Sequence, residues 1–150
     1  MAEIRHRIGI SAPQASVYEA LATKDGLSRW WTHKVEGDAA VGGTLNFFFS
    51  RPEPGAVMDV LASTPGDRVS WRCVGGGADE WIDTSIDFEL KSSEDDQTVV
   101  LFTHRDWQEP SEFMAHCSTK WGYHLLGLKA MLEDGQGTPY PEDIKVSNWG

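Results

Sequence analysis

The chain has 150 residues, the usual size of one domain, and a chain of that length typically buries about 70% of the surface its unfolded form exposes. Its 23 acidic and 13 basic residues give a formal charge of −10, which repels phosphate backbones and anionic headgroups, so nucleic acid and membrane surfaces are set aside as partners. No run approaches the 18 or more apolar residues of a membrane span, and Met1 to Ile10 alternates in character where a signal peptide would be continuously apolar, so a cytoplasmic protein is expected.

Ile4, His6, Ile8 and Ile10 alternate with Arg5, Arg7 and Gly9, the period of a strand with one covered face at or near a sheet edge. Ser11 as a cap, Pro13 in the first turn and an apolar face of Val17, Tyr18, Ala20 and Leu21 predict a short helix, interrupted at Asp25-Gly26. A further helical turn, Leu27 to Trp31, follows, and then a weak β-like run at His33 to Glu36.

Val41 to Ser50, Val57 to Ser63, Arg68 to Val74, Thr84 to Lys91 and Thr98 to His104 read as strands. The clusters between them have turn chemistry, Gly75-Gly76-Gly77 reading as a flexible hairpin turn, and such short links make an antiparallel meander. Thr84, Ile86, Phe88 and Leu90 alternate with Ser85, Asp87, Glu89 and Lys91, so one face is covered and one solvated.

The cover is a long helix over Phe113 to Leu132, starting near Ser111-Glu112 and stopping at Asp134, where Gly135 supplies a left-handed cap. Phe113, Met114, Cys117, Trp121, His124, Leu125, Leu128, Met131 and Leu132 fall within an arc of about 120°. His116 and Lys120 lie at its fringe, and Leu126 is the apolar exception on the outer arc. From Gln136 onward no helical period remains.

This order of elements, with certain local stretches, resembles the helix-grip fold of the START and birch-pollen-allergen superfamily, and within it the family named for the activator of Hsp90 ATPase. The matching stretches are Ile10-Ser11-Ala12-Pro13, Val17 to Leu21, Leu27 to Trp31, Gly42-Gly43-Thr44, Thr98 to His104, Trp121-Gly122-Tyr123, Leu128 to Glu133 and Gly135 to Pro139. The resemblance implies an α+β domain over residues 1–139 with a tail, 140–150. A curved antiparallel sheet of about six or seven strands wraps the long C-terminal helix, with two short helices after the first strand. It also implies a cavity between sheet and helix, used in such proteins for lipids, hormones, polyketides or aromatic compounds. It transfers no fixed catalytic motif.

Aromatics make up 11% of the chain, with seven tryptophans, and supply most candidate ligand contacts. Trp30, in the Trp30-Trp31 pair, is either a plug between short helix and sheet or part of a ligand platform. Trp71, Trp81 and Trp107 lie on or beside strands whose ends approach the cavity mouth, and Phe47 and Phe49 share one strand face. The parity of Val100, Phe102 and His104 aims His104 toward the cavity, and the helix stripe contributes Phe113, Cys117, Trp121 and His124. Convergence of His104 and His124 on one spot would orient a ligand or act as acid and base.

Cys117 and His124 are two turns apart, roughly 10 Å of rise, too far for one tetrahedral ion. Gly75-Gly76-Gly77 lacks the helix and Lys-Ser/Thr of a phosphate loop, and Glu94-Asp95-Asp96 reads as a solvated hairpin tip. No metal or cofactor is expected. The leading expectation is binding of a small hydrophobic or aromatic molecule. Its alternatives are an enzyme of cyclase, dehydratase or isomerase type and a protein-interaction module, with Leu126 and the tail near Trp149 as exposed candidates for contact with a chaperone; Leu126 also hints at a homodimer.

Overall fold

The computed structural model describes residues 1–150. Strand β1 (Ala2–Ile10) is followed by helices α1 (Gln14–Ala22) and α2 (Lys24–Ser28). Six further strands come next: β2 (Lys34–Gly37), β3 (Thr44–Phe48), β4 (Ala56–Thr64), β5 (Arg68–Gly76), β6 (Ser85–Ser92) and β7 (Thr98–Trp107). A 3-10 turn at Asp79–Trp81 separates β5 from β6, and helix α3 spans Glu112–Asp134. The strands form one antiparallel sheet ordered β1-β7-β6-β5-β4-β3-β2, curved around α3. It is the α+β helix-grip architecture expected from the order of elements, with β1 on an edge.

Local chemistry moves several boundaries. Helix α1 starts at Gln14 behind Pro13, because the Ser11 side chain does not cap it; the Ser11 N–H donates to Glu133 instead, 2.7 Å away. The break before α2 falls at Thr23, whose hydroxyl accepts from the Gly26 N–H at 3.0 Å, so Asp25 and Gly26 lie inside a helix. Val41 and Gly42 form a turn before β3, closed by the Gly43 N–H to the Ala40 carbonyl at 2.8 Å. At the other end of the sheet β7 outruns His104: a register shift opposite Ala2–Ile4, with Asp106 at φ 71°, turns Trp107 back into the core.

Gly75-Gly76-Gly77 is not a free turn. Gly75 and Gly76 pair with Val57 and Ala56 as the end of β5. Gly76 has φ 118°, and a Cβ there would run into the Gly55 carbonyl.

The covered face is as the alternation requires, with Ile86, Phe88, Leu90, Val100 and Phe102 buried against Trp121, Leu125 and Leu128 of α3. The outer face differs. Ser85 and Asp87 are buried there, because Arg68 and Arg105 lie over the Asp87 carboxylate and Ser70 donates to it at 2.5 Å. A carboxylate shared by two guanidinium groups is tolerated in a near-dry setting that an isolated one would not survive.

The Ser111 hydroxyl caps α3 by accepting from the Met114 N–H at 3.1 Å, and Gly135 ends it at φ 85° with its N–H on the Met131 carbonyl. The segment after α3 returns to the body of the protein. The Tyr140 N–H donates to the Trp31 carbonyl (2.8 Å) and the His33 N–H to the Tyr140 carbonyl (3.1 Å), a parallel bridge beside β2.

Two glycine substitutions test the role of this run. Gly76→Ala is expected to lower stability by about 2 kcal/mol, from backbone strain and the carbonyl clash, whereas Gly77→Ala should stay within about 0.5 kcal/mol of the parent. Urea denaturation read by circular dichroism distinguishes them, and equal midpoints would contradict the strand assignment.

Candidate ligand-binding cavity

The residue after Trp30 organises the aromatic interior. Trp31 packs against Phe47 (ring centroids 4.3 Å apart), Trp121 (5.0 Å) and Trp71 (6.0 Å, planes 8° apart), and reaches Phe49 and Trp81. Trp81 stacks in turn on Trp121, 5.8 Å away and 14° from parallel. Rings in these offset arrangements gain about 0.5–1.5 kcal/mol each beyond their burial, which favours a rigid wall.

Between this wall, the first half of α3 and the returning C-terminal segment lies a cavity of about 500 Å³, within the range of small-molecule sites. Its aromatic lining is Trp31, Phe49, Trp81, Phe113, Trp121, Tyr140 and Trp149. A wider recess of about 680 Å³ outside the β3–β4 connection has only two hydrophobic residues among nine. That recess offers little apolar surface to a ligand.

Six of the residues expected at the site line the cavity: Phe49, Trp81, Phe113, Cys117, Trp121 and His124. Six do not. Trp30, Phe47, Trp71, Phe102, His104 and Trp107 are fully packed in the core. Trp30 acts as a plug, its indole N–H donating to the Ala20 carbonyl at 2.9 Å. Trp107 packs on His104 and Phe113.

The expected convergence of His104 and His124 does not form. His104 accepts the Trp121 indole N–H on Nδ1 (3.1 Å), so its proton is on Nε2 and is donated to the Thr84 hydroxyl (2.8 Å), which donates to the Trp81 carbonyl (2.5 Å). Both ring nitrogens are engaged, and burial lowers its pKa to about 3, keeping it neutral. His124 belongs to a different network: Nδ1 faces the Trp30 carbonyl at 3.2 Å, and Nε2 faces the Asp143 carboxylate at 3.6 Å. Burial is the main reason its pKa falls to about 4, offset in part by Asp143.

Cys117 meets neither histidine. Its Sγ accepts from the Trp81 indole at 3.3 Å, and burial pushes the thiol up to about 12, so no thiolate nucleophile is available at neutral pH.

The polar side of the cavity comes largely from residues outside the expected set. Lys120 pairs with Asp143 at 2.8 Å and donates to the carbonyls of Ile144 (2.6 Å) and Gly150 (3.1 Å), tying the C-terminal segment to α3. His116 contacts the Ser147 hydroxyl at 2.7 Å, and Trp149 packs edge-on against Phe113 and His116. The stripe on α3 already placed His116 and Lys120 beside the cavity-facing arc; Trp149, expected as an exposed contact for a partner, lines the cavity instead, and Asp143 and Lys145 carried no sequence signal, since nothing local tells where an aperiodic segment docks.

A sheet gripping one long helix over an aromatic cavity defines a START-like domain. The family model described as activator of Hsp90 ATPase homolog 1-like protein matches residues 11–133, and the chain belongs to that family. It is similar to the Aha1 dimer from Colwellia psychrerythraea, whose solution structure is 44% identical with a TM-score of 0.82, covering 91% of this chain and 100% of that one. CalU16 from Micromonospora echinospora (23% identity, TM-score 0.75, 94% of this chain and 71% of that one) shares the fold. So does the protein SSP2350 from Staphylococcus saprophyticus (18%, 0.74, 91% and 95%). No curated protein matches the chain.

The two buried histidines set a pH dependence. In the unfolded chain both protonate near pH 6.5, while the folded values lie near 3 for His104 and near 4 for His124. Between these limits the unfolded chain holds the extra protons, so stability is complete above pH 6.5 and falls as the pH drops. The expected loss is about 2 kcal/mol per histidine between pH 7 and pH 5. Urea midpoints at the two pH values check this, and a His104→Leu variant, less stable at pH 7, should show a slope shallower by one proton.

Proposed function

We propose that the protein binds a small hydrophobic or aromatic molecule in the cavity between α3, the Trp31 wall and the C-terminal segment. The observation that carries this reading is the unfilled space of about 500 Å³ among seven aromatic side chains, beside one contiguous core of 27 buried residues. The fold supports it, since a concave space under one long helix is what this architecture provides. The engaged state of His104 and the protonated thiol of Cys117 favour binding over covalent or acid–base chemistry. A cytoplasmic setting accords with two free, buried cysteines.

The neutral fluorophore N-phenyl-1-naphthylamine tests it. A rise in emission saturating at one site per chain is expected. Trp149→Ala, at the rim, should weaken binding about fivefold, and Leu61→Ala, exposed on β4, should leave it unchanged. No rise in emission, or equal affinity in both variants, removes the reading.

Self-association is a second reading, favoured by the 44% identical neighbour, which is described as a dimer, and by Leu126, 58% exposed on the outer arc of α3. Sedimentation equilibrium at micromolar concentration is expected to return twice the chain mass, and Leu126→Asp to return the monomer. A monomer at every concentration removes this reading.

A further inference from the structure

We infer that the cavity selects ligands bearing a hydrogen-bond donor, an O–H or N–H on an aromatic frame, and that His124 Nε2 and the Asp143 carboxylate receive it. The inference rests on reading the cavity as a binding site and names the chemistry that site takes.

The Trp30 carbonyl is an acceptor only, so the His124 Nδ1 that faces it carries the proton. A neutral imidazole protonated on Nδ1 has its lone pair on Nε2. That nitrogen belongs to a cavity-wall side chain only 3% exposed, makes no hydrogen bond, and lies 3.6 Å from Asp143 Oδ2. This distance is too long for a hydrogen bond, and both atoms are acceptors. Asp143 Oδ2 already takes the Lys120 ammonium at 2.8 Å and keeps a further lone pair, while His124 Nε2 has no donor, so a donor placed between them satisfies the histidine and adds to the carboxylate.

Three donors of the cavity wall, the Lys120 ammonium and the indoles of Trp81 and Trp121, are already engaged. The Lys120 ammonium is taken by the Ile144 and Gly150 carbonyls and by its ion pair with Asp143. The indole N–H of Trp81 goes to Cys117, and that of Trp121 to His104. Lys145 lines the cavity but is exposed. Charge points the same way: Lys120 offsets Asp143, so a neutral donor meets no net repulsion there, whereas a carboxylate at the same place would meet the Asp143 charge and the Nε2 lone pair, with only the exposed Lys145 to draw it toward the rim.

Calorimetric titration of the full chain at pH 7.5 with 2-naphthol, 2-methoxynaphthalene and 2-naphthoate tests this. The three share one ring system and differ in offering a donor, an ether or an anion. A hydrogen bond to a charged or well-oriented acceptor is worth enough to make 2-naphthol bind about tenfold or more tightly than the ether, with the carboxylate weaker than 2-naphthol. His124→Asn retains an N–H for the Trp30 carbonyl and removes the cavity-facing acceptor, so the preference should shrink several-fold. Asp143→Ala, in the C-terminal segment and in no helix or strand, should shrink it too and covers the case in which the histidine variant does not fold. Equal affinity for 2-naphthol and its methyl ether, or a preference unchanged in the folded variants, overturns the inference while leaving the cavity a binding site. Failure of every naphthalene to bind overturns both.

Discussion

The hydrogen bond from the Trp121 indole to His104 joins the long helix to the sheet, and the cavity depends on it. One side chain comes from the middle of α3, the other from β7, and the chain of donors continues through Thr84 to the Trp81 carbonyl. Each member has one role: indole gives, imidazole takes and gives, hydroxyl takes and gives. In an apolar interior such a chain has one satisfied arrangement, and every alternative rotation of the helix leaves buried polar atoms unpaired. The same ring of Trp121 packs on Phe102 at 4.7 Å and Trp31 at 5.0 Å, so helix rotation and aromatic packing are set together.

With Trp121 fixed, the residues one and two turns earlier, Cys117 and Phe113, fall beside Trp81 and Trp107 and line the cavity. The short strand β3 ends at Phe48, and Phe49 leaves the ladder to pack on Trp31 and Tyr140. The space left there is closed by the C-terminal segment, held by backbone bonds at Tyr140 and by Lys120. The polar groups of the cavity come from α3, through His116, Lys120 and His124, and from the C-terminal segment, through Asp143 and Lys145, while its apolar lining is mostly the aromatic wall around Trp31 and Trp81.

The two histidines of the interior show how one residue type serves opposite ends. His104 is closed, with both nitrogens bonded to protein. His124 is open, one nitrogen anchored to the Trp30 carbonyl and the other left with a lone pair beside Asp143. Burial lowers both pKa values, so the chemistry at neutral pH is that of neutral imidazole: a structural relay in the first case and an acceptor in the second.

Periodicity by itself determined the elements and the faces they bury. The alternation of Ile86, Phe88 and Leu90 against Glu89 and Lys91, the stripe from Phe113 to Met131, and the glycine at 135 each carry their reason locally, in the two-residue and 3.6-residue repeats of strand and helix. Tertiary structure alone decided which of two adjacent tryptophans plugs and which lines, because successive residues of a helical turn point about 100° apart and only the packed neighbours select between them. It also decided that Asp87 is buried, since the guanidinium groups over it come from other strands, and that His104 is a relay, since its partners lie just before β6 and on α3. The part of the cavity's polar side that the C-terminal segment supplies was illegible for the same reason: Asp143 acquires its meaning only when an aperiodic segment docks beside His124 and Lys120.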